Sequence, residues 1–188
     1  MKIQPVQSGS KGNCYILESN GSLLMLECGI PVRGIRAALN HRLHQVAGCL
    51  ITHEHKDHSR SAAGISRLGV HCYASGGTIA QLKLDDTMRF HAVTEESFRI
   101  DNWQVTSFPA VHDAAEPLNY YIVAPDGERL LFVTDNSYWN VVHRPILRFE
   151  AAEYYLVEAN YDTRLLEHNY RQALIPEELR RLIPLNHS

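Results

Sequence analysis

The segment VAGCLITHEHKDH, residues 46–58, joins an apolar run to four side chains that can bind a metal ion. Residues 46–52 have the length and apolar character of a strand that is buried on both faces. The metal-competent side chains follow it directly; they are His53, His55, Asp57 and His58. Because open catalytic sites are often built on loops at strand ends, the segment predicts a metal centre at the end of a buried strand.

The spacing inside this run suits two ions. In an extended or looped chain, His53 and His55 point the same way and can share one ion, whereas Asp57 and His58 can reach a second ion beside it. Imidazole and carboxylate together suit Zn²⁺, and also Mn²⁺ or Fe²⁺. The alternatives are a polar surface loop that holds three histidines by chance and a structural zinc site, which usually takes several cysteine ligands.

Composition limits the class of protein. The 188 residues, with 45% hydrophobic and 21% charged side chains, predict one globular domain over residues 1–188. A net charge of −3 and a pI near 6.4 argue against a large non-specific electrostatic grip on nucleic acid, although they leave room for a local basic groove. The oligomeric state stays open.

The cysteines and the apolar runs indicate the compartment. Cys14, Cys28, Cys49 and Cys72 form no C-x-x-C pair, so we expect buried thiols in a reducing environment. No apolar run is long enough to span a bilayer, and the N-terminus lacks a basic region followed by an apolar stretch. The sequence therefore predicts a cytoplasmic protein without a membrane partner.

Strands and helices are interspersed along the rest of the chain. Apolar or alternating runs predict strands at 2–7, 14–18, 22–27, 46–52, 70–73, 97–100, 104–108, 120–123, 130–134 and 154–157. Helical periodicity predicts helices at 32–39, 59–68, 78–84, 162–170 and 177–182. This order indicates an α/β protein with two sheets packed face to face and helices outside.

Two further metal-competent residues stand at predicted strand ends. His112 follows the strand at 104–108, and Asp135 follows the strand at 130–134. A single histidine or aspartate in a loop is usually a solvated residue or a helix cap, and that alternative applies here too. Because both residues repeat the placement of His53 after its strand, we favour them as ligands.

These motifs resemble the metallo-β-lactamase superfamily. The decisive ones are THEHKDHS after an apolar strand, followed by His112 and Asp135 at later strand ends. SGSKGNCYILE, LLMLECGI, VHDAAEP and EANYD resemble its small bacterial and phage hydrolase branch, which includes a DNA exonuclease linked to cell-wall regulation and is related to tRNA 3′-processing endonucleases. The likeness extends over nearly the whole chain and implies a four-layer αββα sandwich of the metallo-β-lactamase fold.

The resemblance also implies a ligand set. His53, His55 and His112 would hold the first metal ion, Asp57 and His58 the second, and Asp135 would bridge them. The family expects a last histidine near the C-terminus, and His187 in Asn186-His187-Ser188 stands at about that place. For His187 the alternative is an exposed terminal residue.

Three departures from the family pattern bear on the site. Glu27 stands where the family usually has an aspartate that supports the site loops, and Asn119 stands where glycine is common. The helix and strand that usually follow the last histidine are missing. The resemblance therefore implies a fold that lacks its last C-terminal elements, either truncated or naturally short, with a weakened second metal site.

The resemblance implies a hydrolase in which two divalent ions share a bridging hydroxide. Asp57 would orient the hydroxide and accept its proton, and His168 would protonate the leaving group unless it lies on a solvated helix face. Lys11 and Asn13 in the glycine-rich loop are candidates for phosphate contacts, as an alternative to a turn packed for its own hydrogen bonds.

The predicted activity is that of a phosphodiesterase on nucleic acid or nucleotides. A DNA nuclease needs a basic groove, and Arg33, Arg36, Arg60 and Arg67 flank the key segments. The alternatives are a small cyclic nucleotide as substrate, a thioester or lactone hydrolase of the same fold, and a non-catalytic metal-binding or partner-binding domain. Two bound ions favour the enzyme, and one tightly held ion without hydrolysis favours the binding domain.

Overall fold

The computed structural model describes residues 1–82, 84, 88–136, 149–157, 168 and 170–172. Within these ranges the chain forms two β-sheets. The first sheet contains six strands: β1 (Lys2–Gln7), β2 (Cys14–Ser19), β3 (Ser22–Leu26), β4 (Val46–Leu50), β5 (Cys72–Ala74) and β6 (Phe90–Ala92). The second contains five: β7 (Ser97–Ile100), β8 (Trp103–Pro109), β9 (Leu118–Val123), β10 (Arg129–Val133) and β11 (Tyr154–Val157).

The first sheet changes from antiparallel to parallel at β3. Strands β1, β2 and β3 pair antiparallel, and the β2–β3 hairpin turns at Asn20 and Gly21, which both have positive φ values of 49° and 78°. This is the two-residue turn that Asn-Gly predicts. From β3 to β6 the strands pair in parallel and in chain order, so their carboxyl ends meet at one edge of the sheet.

Helices make the crossovers between the parallel strands. The four α-helices in the described ranges are α1 (Val32–Ala38), α2 (Lys56–Ser59), α3 (Ala62–Arg67) and α4 (Gly76–Gln81), and a 3-10 helix spans Arg42–Gln45. Ile35 of α1 and Ile65 of α3 are fully buried against the outer face of the first sheet. The α1 and α3 helices therefore form a layer on that face, as the sequence predicted.

The second sheet has the order β11-β10-β9-β8-β7, antiparallel except for the parallel pair β10–β11. Its inner face packs on the first sheet through buried Trp103, Tyr120 and Ile122. On the first sheet, Leu24 and Leu26 face this interior, whereas Leu23 and Met25 face the helices. Because β3 is buried on both faces, it reads as the continuous apolar run SLLML.

Apolar side chains also cover part of the outer face of the second sheet. Phe108, Tyr121 and Leu131 are buried there, and the ring of Phe149 stacks on Tyr121 with centroids 4.4 Å apart. The helices predicted at 162–170 and 177–182 lie outside the described residues, apart from helical positions at 168 and 170–171. In the ranges that the structure describes, no helix has the length and apolar character needed to cross a membrane.

Three of the differences between the sequence prediction and the structure concern segments around the first sheet. The predicted helix at 59–68 is divided into α2 and α3, and α2 begins at Lys56, inside the histidine run. The short strand β6 was not predicted, because three residues are too few to show an alternating pattern. The strand predicted at 46–52 ends at Leu50, although Ile51 still donates its N–H to Tyr73 O.

Candidate metal centre

The histidine run leaves the sheet at the carboxyl end of β4 and turns at once into α2. His53 is buried just after the strand, and His55 is the residue that precedes the first turn of α2. The N–H groups of His58 and Ser59 both donate to His55 O at 2.9 Å, which closes that turn. The sequence suggested an extended or looped run, whereas a helical turn brings His58 back towards His53, with ring centroids 4.2 Å apart.

Backbone contacts hold this turn in place. Asn13 N–H donates to Asp57 O at 2.6 Å, and Cys28 N–H donates to His58 O at 2.8 Å. Gly29 lies so close that a Cβ atom there would stand 1.7 Å from Asp57 O. A side chain at position 29 is therefore incompatible with the position of α2. The segment Cys28-Gly29-Ile30 packs directly against this helix.

Three imidazoles converge from the run and from the β8–β9 loop. His55 Nδ1 lies 3.1 Å from His53 Nε2 and 3.1 Å from His112 Nε2. One ring nitrogen carries one proton or one lone pair, so His55 Nδ1 cannot complete good hydrogen bonds with both partners. A cation shared by the three nitrogens would fit this spacing, because ligand nitrogens around tetrahedral Zn²⁺ stand roughly 3.3 Å apart.

A second group of donors adjoins the first. Asp135 Oδ2 lies 2.9 Å from His58 Nε2, 3.5 Å from His53 Nε2 and 3.8 Å from His112 Nε2. Ligand atoms of His53, His58 and Asp135 all lie within 4.8 Å of one another. Asp57 Oδ2 lies 3.4 Å from His58 Nε2. Asp135 thus faces both groups, which is the placement that a bridging ligand needs.

The electrostatics of the cluster suit an added cation. Burial, with the neighbouring His58, lowers the pKa of His53 to about 3, so its ring is neutral and free to ligate. Burial alone would lower the pKa of His58, but Asp135 and Glu27 outweigh it and raise the value to about 11. Burial likewise works against the Asp135 carboxylate, but His58 holds its pKa below the usual value. A divalent ion would replace the His58 proton in balancing this negative charge.

Glu27 supports the cluster from behind. Glu27 is fully buried, and its backbone has a positive φ of 63°. Its two carboxylate oxygens lie 3.3 and 3.4 Å from Thr52 N. Its Oε1 also lies 3.5 Å from His58 Nδ1, close enough for an ion pair although no hydrogen bond forms, while His58 Nε2 faces Asp135. Burial raises the pKa of Glu27 despite His58 and Thr52. The Glu27 side chain therefore reaches His58, one of the candidate ligands.

The sequence predicted several site residues that the structure brings together, and it missed others. His53, His55, Asp57, His58, His112 and Asp135 all meet at this centre. The amide of Asn13 lies 3.3 Å from His58 Nε2, while Lys11 stays exposed at the same loop. The missed residues are Glu54 and Asn136, which bind the His112 loop. Their only sequence signal is that each is adjacent to a candidate ligand.

The two remaining predicted residues are not joined to the centre. His168 is exposed in a helical stretch, where its carbonyl accepts from Gln172 N–H at 3.1 Å. In the part of the chain that the structure describes, no contact links its ring to the cluster. His187 lies outside the described residues.

Comparison with known sequences places the chain in a family and beside two named enzymes. The family described as beta-lactamase superfamily domain matches residues 25–174. Exodeoxyribonuclease WalJ of Streptococcus pneumoniae is 28% identical over 176 residues, covering 88% of this chain and 64% of WalJ. Exodeoxyribonuclease YycJ of Bacillus anthracis is 26% identical over 187 residues, covering 94% of this chain and 67% of YycJ. The chain thus spans about two thirds of the length of these relatives.

Solved structures share the fold. The metallo-beta-lactamase fold protein YhfI of Bacillus subtilis superposes with a TM-score of 0.67 at 14% identity, over 85% of this chain and 70% of YhfI. The short form of human tRNase Z gives a TM-score of 0.64 at 15% identity, over 91% of this chain and 82% of the enzyme. At such identities the likeness establishes the metallo-β-lactamase fold, which confirms the predicted fold class, and leaves substrate to other arguments.

Proposed function

The chain belongs to the β-lactamase superfamily, and from that membership we propose that it is a metal-dependent phosphodiesterase that acts on nucleic acid, with DNA as its first candidate substrate. The observation that carries the proposal is the convergence of His53, His55 and His112 beside Asp135. The two exodeoxyribonucleases that resemble this chain support DNA as the substrate class. We further propose that residues 1–188 fold as one domain.

The donor set fits two divalent ions, of which Zn²⁺ is the first choice because imidazole dominates the set. His53, His55 and His112 would hold one ion, His58 and Asp57 the other, and Asp135 would reach both. When bound, such ions lower the pKa of water towards neutrality and stabilise negative charge on phosphate oxygens. His187 remains a candidate for a further ligand.

Asp57 is our candidate general base. Its carboxylate is partly exposed and lies beside His58 Nε2 at 3.4 Å, at the open side of the cluster. In that position it can orient an attacking water molecule and accept its proton. Its main chain is fixed through Asn13 and Gly29, so the carboxylate is presented from a rigid turn. His168 remains a proposal for protonating the leaving group.

Local basic residues compensate for the net charge of −3. Lys56 and Arg60 are exposed on and just after α2, and Lys11 is exposed on the loop that binds α2 through Asn13. Phosphates next to the cleaved bond can pair with these cations without a chain-wide basic surface. Because a nuclease that works from the end of a DNA strand contacts few phosphates, a small number of cations beside the centre suits this activity.

The test is hydrolysis by the purified chain with added Zn²⁺ or Mn²⁺. End-labelled single-stranded and double-stranded DNA report nuclease activity, bis(p-nitrophenyl) phosphate reports phosphodiester cleavage in general, and a cyclic nucleotide tests the small-substrate alternative. We expect metal-dependent release of nucleotides from DNA, and Asp57→Asn to reduce the rate about 10²- to 10⁴-fold. If the folded, metal-loaded chain cleaves none of these substrates, the proposed activity is wrong.

A further inference from the structure

The loop that carries His112 has little backbone support of its own. Between β8 and β9, Ala110 N–H donates to Pro117 O at 2.9 Å and closes the base of the loop. Within it, Ala114 N–H donates to His112 O at 2.9 Å. Further support comes from side chains. Glu116 of the loop itself accepts the N–H of Gly77. Two acceptors from other segments, Glu54 and Asn136, bind N–H groups of the loop on either side of His112, so its position depends on them.

Glu54 binds the part of this loop that follows His112. Its Oε1 accepts the N–H of Ala115 at 2.8 Å, across 61 residues of sequence, and its Oε2 accepts the Thr78 hydroxyl at 3.5 Å. Glu54 stands between His53 and His55, and its own carbonyl accepts the Ser59 hydroxyl at 2.7 Å. The residue between two candidate ligands therefore binds the loop that supplies the third.

Asn136 binds the part of the loop that precedes His112. Its Oδ1 accepts the N–H of Val111 at 3.0 Å, one residue before His112, and Asn136 itself follows Asp135. Its Nδ2 donates to Asn119 Oδ1 at 3.0 Å and to Thr134 O at 2.9 Å. The buried Asn119 in turn donates to Pro109 O at 3.1 Å. The amide that replaces a common glycine at position 119 thus fixes the Asn136 side chain.

We propose that Glu54 and Asn136 are positioning residues that set the place of His112 from both sides, each by linking it to a segment that carries another ligand. The inference rests on the proposed function, because it concerns the same metal centre. It assigns to Glu54 a role as a hydrogen-bond acceptor, not as a ligand or as a negative charge. His112 then reaches the cluster only when the other ligand segments are already folded.

Zinc affinity separates this role from a general effect of charge. We would titrate the metal-free full chain with Zn²⁺ against a chromogenic chelator, for the wild type, Glu54→Ala and Glu54→Gln. Glutamine keeps both contacts, because its carbonyl oxygen can accept from Ala115 and its NH₂ group can donate to the Thr78 hydroxyl. We expect Glu54→Ala to weaken zinc binding about 10-fold or more, as loss of an outer partner of a metal ligand does. Glu54→Gln is expected to stay within about threefold of the wild type.

Co²⁺ spectra and hydrogen exchange add readouts that are independent of turnover. The visible bands of the Co²⁺-loaded chain should change in Glu54→Ala and be restored in Glu54→Gln, because the bands report the ligand geometry. Exchange of the amide of Ala115 should accelerate in Glu54→Ala even without metal. Asn136→Ala serves if Glu54→Ala does not fold, with the expected acceleration at Val111.

The possible results are distinct. Faster exchange at Ala115 with unchanged zinc affinity and Co²⁺ bands would overturn the positioning role while leaving the metal centre intact. Equal weakening in Glu54→Ala and Glu54→Gln would also overturn it, because charge and not the hydrogen bonds would then matter. Failure of the folded wild type to bind Zn²⁺ would contradict the proposed function itself.

Discussion

The two segments that supply histidines to the centre are held in different ways. Residues 52–59 are fixed by backbone contacts: Asp57 O accepts from Asn13, His58 O accepts from Cys28, and Gly29 leaves no room for a side chain. Residues 110–117 are fixed mainly by side chains, with Glu54 and Asn136 as acceptors. The first segment is thus fixed by the main chain of the folded core, whereas the second is a loop that side chains bind to that core.

Because of this difference, substitutions near the two segments should have different effects. A change that disturbs backbone packing around 52–59 must move α2 and therefore acts on the stability of the whole chain. A change that removes a side-chain acceptor around 110–117 frees one loop and acts first on His112.

Gly29→Ala should be the most damaging substitution. Its Cβ would lie 1.7 Å from Asp57 O and 2.8 Å from Asn13 N, both backbone atoms that cannot move alone. We expect a loss of about 3 kcal/mol or more in the free energy of unfolding, measured by urea denaturation. Gly34→Ala in α1 is the matched control, because its Cβ meets only Ile30 Cδ1 at 3.4 Å. Equal stability of the two variants would contradict a backbone-fixed α2.

His58→Ala should be the next in size, again within the first segment. It leaves the buried carboxyl of Glu27 without the ring that faces it at 3.5 Å, and removes the partner of Asp135. Breaking a buried ion pair from one side costs about 3 kcal/mol. Urea denaturation in the presence of a chelator measures this loss without metal binding. The double variant with Glu27→Gln should recover part of the stability, and no recovery would argue against the pairing.

Asn119→Gly should have an intermediate effect on the second segment. It restores the residue common in the resembling family, but it leaves Asn136 Nδ2 and Pro109 O without their buried partner. We expect a loss of about 2 kcal/mol in the free energy of unfolding. Exchange of the Val111 amide, measured by mass spectrometry, should accelerate more than exchange in β4. Uniform acceleration throughout the chain would show that the loop is not a separate unit.

Glu116→Ala should have the smallest effect. Its carboxylate accepts the N–H of Gly77 at 2.7 Å, an exposed contact like that of Glu54 with Ala115, but one that ties the loop to α4, which carries no candidate ligand. Exposed interactions of this kind contribute less than about 1 kcal/mol, so both stability and zinc affinity should stay near the wild type. A tenfold loss of zinc affinity here would place the main support of the His112 loop on α4 instead of Glu54.

The sequence was sufficient for the parts of the molecule that local pattern determines. The Asn20-Gly21 turn, the apolar run of β3 and the strand before His53 predicted the first sheet, because burial and turn chemistry act within a few residues. The placement of His112 and Asp135 after strands made them candidate ligands, and the structure brings both of them to His53. The strand β6 was missed because three residues show no alternating pattern, and the helical start at Lys56 was missed because distant Asn13 and Cys28 hold that turn.

The supports of the site were beyond sequence reasoning for a physical reason. Glu54 and Ala115 are 61 residues apart, and Asn136 and Val111 are 25 apart, so no local spacing connects them. In the sequence Asn119 stood out only as a departure from the family pattern; in the structure its amide binds Asn136 and Pro109 O. Candidate ligands at strand ends can be predicted one by one, whereas the residues that hold them in place are identified only once the sheets are assembled.

The most direct test of the account is a crystal structure of the zinc-loaded chain, with anomalous scattering collected on both sides of the zinc absorption edge. We expect one zinc peak bonded to His53, His55 and His112, and a second beside His58 and Asp57, with Asp135 between them. The zinc-to-nitrogen distances should be about 2.0–2.1 Å. Zinc found elsewhere on the folded chain, with no peak at this cluster, would contradict the assignment of a metal centre.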